Sequence, residues 1–342
     1  MSIMLEEALS SAARVAAQMN DTHGIAELAA RLATDEPQLI ATVARGSSDH
    51  AAAYFALLSM VHLGVPVVSL PMSVVTLRAA PLRMRGQFAL AFSQSGKSPD
   101  LIAAMRALRA AGAGTAAFVN VDDSPLGAAC EYDVPLLAGA EHSVAATKSY
   151  IATLTRSVQL IGHWARARNG DTTLLRALET LPDDLLRASG LDWSAAASGL
   201  ASAERLMVIA RGPCLPVAHE AALKLKETCA IQAESFSSAE VQHGPMELIG
   251  PGYSLLIFAP RGPEQSGIVE FAARMRERGA NVWLAAPANV PDADLPLVET
   301  GHPLLDPISV AMTLYVMVDT LARARRRDVD RPTYLNKVTE TH

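Results

Sequence analysis

The sequence predicts an α/β protein built from two tandem parallel sheets, each five-stranded, doubly wound, flanked by helices and flavodoxin-like. Three observations carry that prediction. Short apolar runs of strand length alternate with amphipathic helical stretches, as in parallel strands covered on both faces. Several runs end in glycine- or hydroxyl-rich turns. The third observation is a repeat: the run at 39–44 and the run at 205–210 both lead into Arg-Gly, with Arg45 and Arg211 lying 166 positions apart. At the same offset, 87–92 aligns with 253–258, and each leads on to a turn, a helical pattern, a glycine (Gly112, Gly279) and another apolar run. One offset shared by two strand-turn-helix units marks a duplication.

In chain order, helical patterns at 3–19 and 23–33 precede strands at 39–44, 66–70, 87–92, 115–120 and 132–136. Helices at 145–165 and 170–190 bridge to strands at 205–210, 253–258 and 280–285, with a helix at 216–230 between the first two. The second half shows fewer clear strands than the first. An apolar stretch at 305–324 reads as a long helix, and the polar tail beyond 328 reads, taken alone, as a frayed end. The expected organisation is a helical segment at 1–34, a first domain at 35–165, a connector at 166–200, a second domain at 201–327 and a tail at 328–342.

The 342 residues are 50% hydrophobic and 19% charged, which supplies a large core and excludes disorder. The densest apolar stretches fall short of the roughly 18 residues a membrane span needs, so no transmembrane helix is expected. The N-terminus meets Glu6 and Glu7 with no basic segment ahead of them, unlike a leader peptide, and a cytoplasmic location is expected. Cys130, Cys214 and Cys229 are spaced for neither a disulfide framework nor a zinc site. A net charge of -6 leaves no footprint for nucleic acid, and Arg323, Arg325, Arg326 and Arg327 are expected to cap a helix dipole.

Open parallel sheets bind ligands at the carboxyl ends of their strands, which directs attention to the turns there. Ser93, Gln94, Ser95, Gly96, Lys97 and Ser98 follow a buried strand, and Pro99 is placed to open a helix. Hydroxyls, backbone N–H groups and a helix N-terminus together suit a phosphate. Ser47 and Ser48 after Gly46 repeat the arrangement, and neither loop is a nucleotide fingerprint. The helix in the second half carries Glu220, Lys224 and Glu227 on one face. That spacing serves a solvent-exposed ion-pair ladder or a carboxylate tuned for proton transfer. A zinc-protease reading of His219-Glu220 fails because Leu223 stands where a second histidine is required, and no metal site is expected. His243, before Gly244-Pro245, lies in a turn that leaves an imidazole partly exposed.

In this order the segments at 46–48, 93–96, 143–148, 220–227, 242–245 and 335–337 resemble the sugar isomerase (SIS) family, as found in the isomerase half of glucosamine-6-phosphate synthase and in stand-alone synthase-like deaminases. The resemblance covers nearly the whole chain. It implies that Ser47, Ser48, Ser93, Gln94, Ser95 and Ser98 hold a sugar phosphate, with Val144, Glu220 and Asn336 also at the substrate. It casts Glu227 as the base moving a proton between C1 and C2, Lys224 as its partner, and Lys337 as the tail lysine that reaches the open-chain carbonyl. His243 becomes the ring-opening acid/base contributed across a homodimer interface. No cofactor is implied. Ala146 stands for a usual serine, Lys97 and Ser98 for Glu and Thr, and Arg45 precedes the glycine. With no room expected for a glutaminase, the resemblance points to conversion of glucosamine 6-phosphate to fructose 6-phosphate and ammonia. The alternatives are a plain phosphosugar isomerase, a sugar-amine deglycase, or a phosphosugar-binding sensor. Against the sensor, residues 1–38 are too short and acidic for a helix-turn-helix.

Overall fold

The computed structural model describes residues 1–335 and Lys337; Asn336, expected at the substrate, lies outside the described residues. The helices α1 (Ile3–Leu9), α2 (Ser11–Asn20) and α3 (His23–Asp35) precede the first strand. The helical pattern at 3–19 is therefore two helices. Ser10 divides them, its hydroxyl donating to the carbonyl of Glu7 and so closing the end of α1.

The first sheet is laid down as β1 (Ile40–Val43), α4 (Ser47–Leu58), β2 (Val67–Ser69), α5 (Ser73–Thr76), β3 (Phe88–Ser93), α6 (Pro99–Ala110), β4 (Gly114–Val119), α7 (Pro125–Ala129) and β5 (Tyr132–Pro135). Then come α8 (Lys148–Asn169), α9 (Thr173–Leu178), α10 (Leu181–Ser189) and α11 (Ser194–Gly199). The second sheet follows as β6 (Arg205–Ala210), α12 (Leu215–Cys229), β7 (Gln232–Ser237), β8 (Ser254–Phe258), α13 (Gln265–Glu277), β9 (Asn281–Ala286) and β10 (Leu295–Pro296), closed by α14 (Asp306–Ala324).

Both sheets are parallel and five-stranded, ordered β2-β1-β3-β4-β5 and β10-β9-β8-β6-β7. Numbered within its own half, each has the order 2-1-3-4-5, with its switch point between first and third strands. The duplication extends to register. Ile40 pairs with Phe88 and Leu206 with Ser254; Ile40 pairs with Val67 and Leu206 with Ala233. The three position pairs 40/206, 67/233 and 88/254 all differ by the offset of 166.

The alternation of apolar runs does not show β7 and β10. Both are edge strands: Gln232 and Glu234 of β7 are exposed while Ala233 between them is buried. A strand with one open side needs only alternate apolar positions, and β10 is two residues long.

The chain divides into two compact units, one of residues 13–141 and 148–179, the other of residues 1–12, 142–147 and 180–337. In the first unit, Phe92 of β3 stacks on Phe118 of β4 with ring centroids 4.9 Å apart. Helix α8 is buried from Lys148 to Ala165. It includes Arg156, 1% exposed, whose guanidinium donates to the carbonyls of Asp21 and Pro135 and to the Asp21 carboxylate. His163 on the same helix is 7% exposed and shares a hydrogen bond with Arg166 at Nδ1. Burial, then the charges of Arg166 and Arg156, push this imidazole down to about 4. The unfolded chain thus takes up a proton at this histidine near pH 6.5 and the folded chain does not. Stability should fall by about 3 kcal/mol as pH drops from ~6.5 to ~4, with no effect of this group above neutrality. In denaturant titrations over that range, His163→Gln should flatten the dependence by this amount; an unchanged slope would refute it.

In the second unit α14 packs against α1, α10, α11 and α12. The stretch Pro303–Ala324 is long and apolar enough to cross a membrane by length and composition, but 83% of its most apolar window is buried inside the protein. The arginines that follow do not simply cap their own helix. Arg325 donates to the carbonyls of Ala201, Ala203 and Cys229, tying the end of α12 to the turn before β6, while Arg323 pairs with Asp319. The tail is anchored as well. Val329 is 3% exposed, and the Asp330 carboxylate accepts from the N–H groups of Ile3 and Met4, capping α1. Asp328 and Asp330 make capping and turn hydrogen bonds, so hydrophobicity alone misreads this described part of the tail as frayed.

Candidate active site

In the first unit the turns after β1 and β3 lie side by side at the switch point, because those strands are paired. Gly46 (φ +54) precedes α4, whose first residues are Ser47 and Ser48. Ser93 closes β3, and its hydroxyl accepts from the N–H of Gly96 at 3.0 Å; Ser95 accepts from Lys97 N–H at 3.3 Å. Gly96 sits at φ +63 with Ser124 so near that any Cβ would collide with it, which holds the loop tight. Ser98 is the N-cap of α6 but makes no side-chain capping bond. Two twelve-residue helices thus direct their N-termini to one strand edge bearing Ser47, Ser48, Ser93, Gln94, Ser95 and Ser98. The arrangement suits an anion. Arg45 spans the two turns, Nε and Nη2 donating to Asp100 Oδ2 at 3.1 and 2.9 Å.

The equivalent edge of the second unit has no such serines. Arg261, after β8, is bound bidentately by Asp306 at 2.9 and 2.7 Å, and Thr300 also donates to that carboxylate. The chemistry-bearing groups of this unit are on α12 instead. Lys224 Nζ lies 3.3 Å from Glu220 Oε1 and 2.6 Å from Glu227 Oε2. The side chains of Lys224 and Glu220 are 1% and 0% exposed, whereas Glu227 is 21% exposed. The i, i+4, i+7 pattern is therefore a buried cluster and not a solvated ladder. Burial alone would lower the Lys224 pKa, but the adjoining carboxylates of Glu220 and Glu227 reverse that and leave it raised. Lys224 is a fixed cation, with Glu220 anchoring it from behind and Glu227 in front. Glu227 faces a cleft of about 590 Å³ whose walls include Leu223, Arg326, Arg327, Arg331 and Tyr334. A carboxylate oriented by a buried ammonium and open on one side can take a proton from a bound ligand.

Val144 is half-buried in the 142–147 segment. That segment is held by Glu7, whose carboxylate accepts from the N–H groups of His142 and Ser143 at 2.5 and 3.2 Å. Lys337 Nζ donates to the carbonyl of Ser143 at 2.5 Å, so the structure brings the tail lysine to the Val144 segment. His243 ends the 3-10 turn Glu240–His243 and is exposed, followed by Gly244 at φ +149. Glu7, Tyr315 and Asp330 shape this unit without having been singled out in the sequence. Glu7 is 6% exposed, and a carboxylate on the buried face of an amphipathic helix was the available signal. The thiols offer no competing nucleophile: burial pushes Cys130 up to about 12 and Cys229 up to about 11, and Cys214 is raised too.

Two duplicated α/β units, one with a serine-rich anion edge and the other with a buried carboxylate–lysine cluster, define an α/β protein suited to an anionic small molecule. The SIS domain model matches residues 36–162 and 199–289, and the chain belongs to that family. Among curated proteins it is 33% identical over 270 residues to a glutamine–fructose-6-phosphate aminotransferase [isomerizing] of Zymomonas mobilis, covering 75% of this chain and 44% of that protein. The chain thus spans less than half the length of the curated relatives it matches. Among solved structures, a candidate phosphosugar isomerase from Silicibacter pomeroyi DSS-3 superposes with a TM-score of 0.90 at 37% identity, over 96% of this chain and 100% of that one. A glucosamine-6-phosphate deaminase from Thermotoga maritima shares the fold, with a TM-score of 0.74 at 19% identity over 97% and 100% of the two chains.

Proposed function

We propose that the protein is a phosphosugar aldose–ketose isomerase coupled to deamination, converting glucosamine 6-phosphate and water to fructose 6-phosphate and ammonia without glutamine. The observation that carries this reading is the Glu220–Lys224–Glu227 cluster, with only Glu227 open to a cleft. In this scheme the serine turns hold the phosphate. His243, supplied by a second copy of the chain in a homodimer, opens the ring, and Lys337 engages the freed carbonyl. Glu227 takes the C2 proton as the electron pair moves toward C1, then returns that proton to C1, leaving a ketimine at C2. Water adds to C2, the C–N bond breaks and ammonia departs with its proton. Holding the open chain and placing one base supply the acceleration; each general acid–base step is commonly worth about 100- to 10,000-fold.

The test is a panel of amino-sugar and keto-sugar phosphates assayed for both ammonia and ketose. Equal amounts of ammonia and fructose 6-phosphate from glucosamine 6-phosphate are expected. Aldose–ketose interconversion with no ammonia would instead establish a plain isomerase, and saturable binding with no turnover a sensor.

A further inference from the structure

Behind the cluster on α12 lies Tyr315, a side chain the scheme above does not use. It comes from the middle of α14, is fully buried, and its hydroxyl donates to Glu220 Oε1 at 3.2 Å. That same oxygen lies 3.3 Å from Lys224 Nζ, which donates to Glu227 Oε2 at 2.6 Å. The four groups form one line from the core to the cleft: phenol, carboxylate, ammonium, carboxylate.

We propose that Tyr315 is a positioning residue for the proton transfer, acting through Glu220 and Lys224 on Glu227; the inference rests on the reading of Glu227 as the base. A carboxylate with no exposed surface is held in place only by its donors. With two donors on one oxygen, its demand on Lys224 is shared, and the ammonium is free to sit close against Glu227. The distances follow that order, the front contact being shorter than the rear one. Remove the phenol hydroxyl and Glu220 Oε1 loses one of its donors and draws harder on Lys224, pulling the ammonium back and loosening the carboxylate in front of it. The role is one of geometry and charge along the line, and it leaves the serine turns untouched.

Tyr315→Phe keeps the ring and its packing and deletes only the donor. Losing one hydrogen bond to a charged group, partly compensated by Lys224, should lower kcat about tenfold while KM for glucosamine 6-phosphate stays within about twofold. With substrate deuterated at C2, the isotope effect on kcat should increase, since proton transfer becomes the slower step. A loss of packing alone would move neither the isotope effect nor the split between kcat and KM in this way. In a Glu220→Gln background the added Tyr315→Phe change should have no further effect. Wild-type kcat in Tyr315→Phe would overturn the proposal, as would a full tenfold loss added on top of Glu220→Gln. Should Tyr315→Phe melt early, the isotope effect measured well below its melting temperature still decides. Glu227→Gln in the same assay reports on the base separately: turnover surviving there removes the reading on which the inference rests, while a dead Glu227→Gln beside a fully active Tyr315→Phe removes the inference alone.

Discussion

Glu227→Gln should fold like the wild type, bind glucosamine 6-phosphate with an affinity within about twofold, and turn it over at least ~1,000-fold more slowly. The magnitude follows from the proposed role: a positioned general base is commonly worth about 100- to 10,000-fold, and in the proposed scheme one group both removes and returns the proton. Folding should survive because Glu227 is the exposed member of the cluster. A glutamine amide oxygen can still accept from Lys224, and Glu220 remains to balance the ammonium. The substrate's phosphate is assigned to the serine turns of the first unit, which the substitution does not touch. Turnover is measured by ammonia release and affinity by calorimetric titration on the same preparation. Activity within tenfold of wild type would remove Glu227 from the mechanism. Loss of binding together with turnover would mean that the carboxylate holds the ligand and does not transfer its proton.

How much of this was legible in the sequence depends on what each segment has to satisfy. The central strands β1, β3, β6 and β8 are buried on both faces but for Arg205 at the start of β6, so their runs are apolar apart from Thr42 and the end residues Ser93, Arg205 and Ser254, and the offset relating them stands out. Edge strand β7 satisfies one face and one neighbour, and Gln232, Glu234 and Ser235 conceal it; only the register shows Ala233 as the counterpart of Val67. The serine turns stand out in the sequence because hydroxyls, a glycine and a helix start fall within a short stretch of chain, and the structure places those turns at the N-termini of α4 and α6. The α12 cluster was legible as a face but not as a buried one, because spacing fixes which side chains align and not what covers them. Tyr315, whose hydroxyl donates to the buried Glu220, is 95 residues away in sequence. Glu7 and Asp330 were hidden for the same reason: each satisfies backbone N–H groups more than 100 positions distant, and no local pattern records such a partner.

Lys224→Met should be both inactive and markedly less stable, and the two losses should separate when a second residue is changed. Lys224 has 1% of its side chain exposed and lies between two carboxylates, one of them, Glu220, fully buried. Replacing the ammonium by an apolar chain of similar length leaves Glu220 with Tyr315 but without its ion-pair partner. Breaking a buried pair from one side typically costs about 3–5 kcal/mol, which for a unit of this size corresponds to a fall in melting temperature on the order of 10 °C. The dependence on pH has a definite sign. The folded pKa of Lys224 is raised above 10.5, so its stabilising contribution is fully present below the unfolded value and is lost only as pH rises through the folded one. The contribution of the Lys224 charge to this gap should therefore be constant from about pH 6 to pH 9 and be lost only in strong alkali, whereas the stranded Glu220 of Lys224→Met favours its neutral form, so the gap should narrow as pH falls. Removing the stranded charge as well, in Lys224→Met/Glu220→Leu, should recover most of the lost stability, since an apolar pair of similar volume is often no worse than a buried ion pair. Turnover should not return with it, because nothing then orients Glu227. Guanidinium unfolding and ammonia release on both variants distinguish the outcomes. A double variant that regains turnover would show that Lys224 acts only in the fold, and a single variant within about 1 kcal/mol of wild type would contradict the burial of the pair.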